Sequence, residues 1–298
     1  MANERRGQLE MIAAMLISGT IGWFVVMSGL PVIDVVFWRC AIGAVVLALI
    51  CWSLGLFRKG ALSRRTFAIA VAGGVAIVLN WLLLFSSYNH ASISIATMVY
   101  NTQPFMLLGL GVLFLGEKVT GEKLFWLGLS FLGMLAIVEG KSGGGDDYIF
   151  GILLALGAAF FYSLAALAAK KLKGTPPHLI ALIQVITGTV MLAPLANLSE
   201  LQTSVAVWSN LLLLGGVHTG LMYVLLYGAI QKLPTHLTGA LSFLYPVVAI
   251  LVDRFALGHQ LQPVRMVGSA VILLAAAGVT LGWRPGRLLR RRGAAGAG

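Results

Sequence analysis

Ten stretches of this chain are apolar over nearly their whole length: residues 9–28, 33–54, 66–86, 92–114, 124–139, 149–170, 178–196, 208–230, 236–257 and 264–283. A helix needs roughly 20 mostly apolar residues to cross a bilayer core. Inside lipid every backbone N–H and C=O must be satisfied within the protein, which leaves helices and closed barrels as spanning structures. These runs are continuous rather than alternating, so helices are expected and a barrel is not. Composition agrees. The chain is 59% hydrophobic and 10% charged, where a soluble domain is about half apolar and a quarter charged. That excludes a soluble enzyme, a disordered chain and a disulfide scaffold. Cys40 and Cys51, the only cysteines, fall in one segment about 16 Å apart along a helix, too far to bond. The first segment follows Arg5 and Arg6 as a signal peptide would, but it shows no convincing small-residue cleavage site, so an uncleaved anchor is expected.

The net charge of +11 would suggest nucleic-acid binding in a soluble protein. Here the basic residues lie in short runs between apolar segments, where they report topology. Arg5, Arg6, Arg58, Lys59, Arg64, Arg65, Lys118, Lys123, Lys170, Lys171, Lys173, Lys232 and the tail arginines Arg284, Arg287, Arg290, Arg291 and Arg292 fall on one side of an alternating ten-span arrangement. Lys141, Arg254 and Arg265 fall on the other, and Arg39 lies inside a span. This 17-to-3 asymmetry places both termini in the cytoplasm and supports ten spans, because a miscounted helix would scramble the alternation.

A shift of 142 residues lays Gly73-Gly74 on Gly215-Gly216, Pro104 on Pro246 and Gly116 on Gly258. With a drift of about three residues, Pro31 meets Pro176 and Arg39 meets Gln184. Each half (1–140 and 149–284) then holds five helices, joined by a Gly-rich linker at 141–148 and followed by a basic tail at 285–298. Five is odd, so the second half enters the membrane from the opposite side. Inverted repeats of this kind characterise transporters that expose one site to each face in turn. Asp146 and Asp147 in the linker could bind a metal, but a solvated hinge is the simpler reading.

These features resemble the drug/metabolite transporter superfamily, in its EamA-type branch. The residues that carry the likeness are Arg39 eight positions after Pro31, Tyr100-Asn101-Thr102-Gln103-Pro104, and Gly116-Glu117-Lys118. In the second half they are Leu244-Tyr245-Pro246 and Gly258-His259-Gln260, where the family often has an acidic residue in place of His259. Within the family the chain looks most like the bacterial YddG-type amino-acid exporters. The resemblance implies an all-helical inner-membrane protein, with a central cavity lined by the first to fourth and sixth to ninth segments. The fifth and tenth segments are peripheral, so Trp126 is expected to be remote from transport. A small-molecule substrate, an amino acid, and the bilayer are the implied partners of a monomer or weak homodimer, with no nucleic acid and no cofactor.

The residues themselves narrow the site. All ten acids lie in loops or within about two turns of a segment end, and a midplane carboxylate is the usual relay of a proton-coupled pump. Facilitated export is therefore expected, unless a histidine substitutes. Arg39 could attract a substrate carboxylate, or snorkel outward to Asp34. Ser94, Thr97, Asn101 and Pro104 share one helical face, as do Thr219, Tyr223 and Tyr227, and Thr238, Ser242 and Tyr245. Asn80, Asn101 and His218 are costly to bury unpaired and are expected to face an aqueous cavity. Trp23, Trp81, Tyr100, Gln103, Tyr162, Ser163, Tyr223, Ser242 and Tyr245 complete the candidate substrate wall, while Ser18 and Thr238 read as packing residues. Pro104 and Pro246 are expected to kink their helices at the midplane and serve as gates. An intramembrane enzyme would carry His-Glu-x-x-His, Gly-x-Ser-x-Gly or paired aspartates, and none occurs. Export of cationic drugs or another metabolite is the competing reading.

Overall fold

A computed structural model describes residues 2–57, 62–91, 96, 99–137, 148–197, 204–256 and 263–284. The Gly-rich linker, Ser94, Thr97, the Gly258-His259-Gln260 stretch and the basic tail lie outside the described residues. Among the described residues the regular structure is entirely helical. In chain order the helices are α1 (Ala2–Ser18), α2 (Ile21–Ser28), α3 (Val32–Ser53), α4 (Arg64–His90), α5 (Gln103–Leu115), α6 (Gly121–Ile137) and α7 (Tyr148–Lys171). Then come α8 (Pro177–Leu192), α9 (Val205–Gly215), a π-helical turn (Gly216–Leu221), α10 (Met222–Lys232), α11 (Thr235–Ser242), α12 (Leu244–Ala256) and α13 (Pro263–Thr280). Among the described residues five stretches are long and apolar enough to cross a membrane: Ala2–Val25, Val32–Ser53, Arg64–Ser87, Tyr148–Lys171 and Val205–Lys232.

The outer surface is that of a lipid-facing protein. Trp52, Leu113, Val205 and Phe255 are all more than 70% exposed, an arrangement that soluble monomers avoid. With no hydrophobic drive between helices in lipid, close packing must hold the bundle, and small residues permit it. A Cβ on Gly73 or Gly74 of α4 would run into Gln184 and Thr187 of α8, and one on Gly215 of α9 would run into Ile42 of α3. Glycine is therefore required where these pairs cross. α4 also packs along α7, α1 along α10 and α12, and α5 on α7 and α11.

Four segments depart from the continuous helices expected of them. The first breaks at Gly19-Thr20, where Thr20 Oγ1 turns back to the Ile17 carbonyl at 2.8 Å. The eighth contains the π-helical turn. The fourth and ninth break at Asn101-Thr102 and at Phe243, each two or three residues before its proline. Pro104 therefore stands in the first turn of α5 and Pro246 is the third residue of α12. A first-turn N–H has no partner within its helix, so proline costs little there. The expectation of mid-helix kinks is corrected: these prolines start helices rather than bend them.

Trp126 is built into the packing of the fifth segment against the tenth. On α6, which packs tightly with α13, its ring covers Gly278 so closely that a Cβ there has no room, and its Nε1 donates to the Trp283 carbonyl at 3.1 Å. It is a packing residue.

Candidate functional site

The polar faces of α3, α4, α5, α7, α10 and α12 meet around a cavity of about 340 Å³. Arg39, Asn80, Trp81, Tyr100, Gln103, Tyr162, Tyr223, Ser242 and Tyr245 line it, so most of the candidate wall is brought together. Arg39 is the one charged side chain among the described residues of this lining. It is 1% exposed, and three features hold it. Its Nε donates to Thr219 Oγ1 at 3.2 Å, its guanidinium lies 4.8 Å from the centre of the Trp81 ring, and Thr219 is itself tied to the Leu214 carbonyl at 2.7 Å. A guanidinium suits such a place because it is weakly hydrated and stacks on aromatic faces. Asp34 is occupied elsewhere, accepting from the Asn197 backbone N–H at 2.9 Å. Outward snorkelling to Asp34 is therefore not what Arg39 does; it faces inward.

Aromatic rings form the walls. Trp81 meets Tyr223 edge to face at 5.8 Å, and Tyr100 meets Tyr162 at 6.2 Å. Asn80 donates to Tyr100 Oη at 3.3 Å and to the Ala158 carbonyl at 2.9 Å, fixing α4 to α7. Ser242 Oγ donates to the Gly239 carbonyl at 2.7 Å. Gln103 opens α5 with its side chain at the cavity.

Four candidate residues do not line the cavity. Asn101 is buried beside it and donates to Tyr245 Oη at 3.0 Å, so it steadies a wall residue. Ser163 Oγ lies 3.0 Å from the Gln103 carbonyl and 2.9 Å from the Ala159 carbonyl, supporting the α5 break from α7. His218 sits in the π-helical turn with Nδ1 3.1 Å from the Leu213 carbonyl and Nε2 2.7 Å from Thr20 Oγ1. A carbonyl only accepts, so Nδ1 donates to Leu213, while Nε2 and the Thr20 hydroxyl make the second contact. The ring thus joins the broken eighth segment to the broken first one rather than facing water. Trp23 borders a separate apolar groove with Thr20, Phe24, Val248, Leu251, Val252 and Phe255, and the reason is its place on α2, turned away by the break at Gly19-Thr20.

The cavity also takes residues that sequence reasoning passed over. Met15, Ser18, Gly19 and Gly22 line it, as do Leu84, Phe85, Met222 and Leu226. Ser18 is thus more than a packing residue. The Met15, Gly19 and Gly22 spacing repeats one helical face, but apolar residues in an apolar helix carry no contrast by which to find them.

At one end of the bundle, below this cavity, the charges gather. Lys170 Nζ pairs with Glu117 Oε1 at 2.7 Å and donates to the Leu233 carbonyl at 2.8 Å. The Thr235 N–H donates to Glu117 Oε2 at 3.0 Å. Lys232 pairs with Glu10, which also holds Arg6 at 3.0 Å. Burial pushes the Glu117 carboxyl up, but the hydrogen bonds from Lys170 and Thr235 outweigh it and hold it below its ordinary value. Among the described residues no cluster of His, Cys, Asp and Glu could hold a metal.

Known proteins share this architecture. A solved crystal structure superposes with a TM-score of 0.81 over 92% of this chain and 96% of its own, at 18% identity, a likeness of fold alone. The uncharacterized transporter YxxF of Bacillus subtilis (strain 168) is 30% identical over 94% of this chain and 90% of its own length. A protein of Streptantibioticus cattleyicolor named "Probable terminal-alkyne amino-acid exporter" is 28% identical over 82% of this chain and 81% of its own. The model of the EamA-like transporter family matches twice, over residues 5–139 and 149–281. With an all-helical, lipid-facing bundle and two family matches covering nearly its whole length, the chain belongs to the EamA-like transporter family.

Proposed function

We propose that the protein exports amino acids, aromatic or other neutral ones, and related small metabolites across a bacterial inner membrane by alternating access. The cavity carries this reading: it holds one cation, Arg39, and no carboxylate among its described lining residues, between walls of tryptophan and tyrosine. A zwitterion can be held by one cation, helix breaks and neutral donors. A cationic drug would call for a carboxylate, and a nucleotide sugar for more than one cation. The amino-acid exporter named among the relatives supports the same class of substrate.

In this reading the chain has ten spans, with both termini in the cytoplasm. Its halves at 1–140 and 149–284 are inverted repeats joined by the linker at 141–148, and the tail follows from 285. The doubled family match supports the repeat. So does the helix packing, because α4 crosses α8 and α9 crosses α3, in each case at a glycine of the aligned pairs. Lys170, Lys232 and Glu117 then close the cytoplasmic end, and the cavity, reaching Gly22, Leu84 and Ala249, belongs to an outward-facing state.

Two experiments test this. Single cysteines at Gly144 and Ser63 in a cysteine-free background report topology: an impermeant reagent added outside should label position 144 and spare 63. The reverse pattern inverts the orientation. A competitive uptake screen in proteoliposomes, with a panel of amino acids and cationic drugs, should find competition among the amino acids. Competition by the drugs alone would replace the substrate class.

A further inference from the structure

Two polar atoms bordering the cavity lack hydrogen-bond partners among the described residues, and they are of opposite kind. Nη2 of Arg39 is a buried charged donor and Oε1 of Gln103 a buried acceptor. Arg39 has spent its Nε on Thr219 and rests one face on Trp81, so its head is fixed with one edge of the fork unused. Gln103 is fixed by its place at the start of α5, where Ser163 reaches its backbone carbonyl. Buried polar groups are nearly always paired, and those left over in a native protein call for a reason. Here both belong to one cavity, reached from two different segments.

We propose that Arg39 and Gln103 are the two polar anchors of a single ligand, which gives a carboxylate to the Arg39 guanidinium and an N–H donor to the Gln103 amide oxygen. A carboxylate matches the free edge of a guanidinium fork, and an ammonium or amine matches an acceptor that carries no charge. The ligand's side chain then lies against Trp81, Tyr100, Tyr223 and Tyr245. This deepens the amino-acid reading of the cavity and rests on it. It adds a ranking: the carboxylate is the group the site demands, because its partner is charged and sealed from water, and the amine is the lesser requirement.

Three probes with one ring separate the groups: L-phenylalanine carries both, 3-phenylpropionate the carboxylate alone, and 2-phenylethylamine the amine alone. Apparent affinities come from ligand-induced thermal stabilisation of the purified full chain. In the parent, L-phenylalanine and 3-phenylpropionate should bind, and 2-phenylethylamine at least about tenfold more weakly than L-phenylalanine. Arg39→Lys keeps the charge and loses the fork. It and Arg39→Gln should weaken both carboxylates by about tenfold or more and leave 2-phenylethylamine within about twofold. Gln103→Leu should weaken L-phenylalanine and 2-phenylethylamine by roughly 2- to 13-fold and spare 3-phenylpropionate. Should the arginine variants fail to fold, the parent's ranking and the Gln103→Leu arm still decide. Equal losses for all three probes would mean a structural role and overturn the proposal, as would a parent that prefers 2-phenylethylamine. An Arg39 effect without a Gln103 effect overturns the two-anchor arrangement. Arg39-dependent binding of 3-phenylpropionate without binding of L-phenylalanine keeps the carboxylate anchor and sinks the amino-acid reading. Binding of L-phenylalanine indifferent to both residues does the opposite, and a parent that binds none of the three overturns both.

Discussion

The two ends of this bundle are closed by different chemistry. At the end that holds Glu10, Glu117, Lys170 and Lys232, ion pairs join segments before residue 140 to segments after it. At the other end the same seam is closed by rings and single hydrogen bonds. Trp38 meets Trp208 at 5.1 Å, His90 meets Phe150 at 5.0 Å, and Asp34 and Asn210 reach backbone groups across the gap. The cavity lies toward this second end. Charges near the water boundary can exchange one partner for solvent at small cost, whereas a charge deep in lipid cannot. The ion-paired end is therefore the one that acid can unlock, and the second end is the one that depends on shape.

The sharpest way to break this contrast is to remove Lys170. It satisfies Glu117 and the Leu233 carbonyl together, and its loss strands a half-buried carboxylate. Lys170→Met should cost about 1–3 kcal/mol, the range for losing buried hydrogen bonds to a charged group, read as a lowered melting temperature in detergent. Adding Glu117→Gln should recover part of the loss, since the stranded charge goes with it. Asp34→Ala at the other end removes one bond to the Asn197 N–H and should cost only about 1 kcal/mol. Equal melting shifts from the two ends would remove the distinction.

Acid sharpens the same point. The Glu117 carboxyl is held below its ordinary value of 4.5, so its pairing contributes stability that is present above that pH. The contribution fades as pH falls toward the folded-state value. The parent's melting temperature should drop through this window, and the drop should shrink in Glu117→Gln. An unchanged acid profile in that variant would assign the effect to other carboxylates.

The helical class, the apolar segments and most of the polar residues of the cavity wall were legible in the sequence. Arg39 stood out as the charge within a span, and Asn80, Tyr100, Gln103 and Tyr245 as polar or amphipathic residues at helical spacing. What was not legible depends on breaks. The apolar run at 9–28 gives no sign that Gly19-Thr20 interrupts it, yet that interruption sends Trp23 to an outer groove. The run at 208–230 conceals a π-helical turn, and that turn takes His218 out of the cavity. Lipid-spanning sequences lack the polar punctuation that marks helix ends in water, so a glycine inside one reads equally as a contact or a break. The prolines were visible, but their placement in a first turn was not.

A smaller effect is expected at the Asn101–Tyr245 bond, on the side of the second end. Asn101 does not touch the cavity but holds the hydroxyl of a residue that does. Asn101→Ala should weaken substrate by roughly 2- to 13-fold, the equivalent of about 0.5–1.5 kcal/mol for one net hydrogen bond. Tyr245→Phe removes the same bond from the other side. Because the two share it, the double variant should fall well short of the product of the singles. Leu132→Ala, on the exposed face of α6, is the neutral control for affinity at equal expression. Fully multiplicative effects would mean that Asn101 acts on the cavity independently of Tyr245.

The smallest expected effect is none at all, and it concerns protons. Among the described lining residues the cavity has no carboxylate. The one histidine near the bundle centre, His218, is engaged at both ring nitrogens, by Leu213 and by Thr20. A proton carrier needs a group that exchanges with the cavity, and His218 is instead enclosed between two broken segments. Proteoliposomes loaded with substrate and given a pH gradient of either sign should therefore show no accumulation against the substrate gradient, while exchange at equal pH proceeds. Concentrative uptake driven by the gradient would overturn facilitated export. If His218→Gln then abolished that uptake and left exchange intact, the hydrogen-bonded chain from Leu213 through His218 to Thr20 would become the proton path. The helix breaks would then serve coupling rather than cavity shape alone.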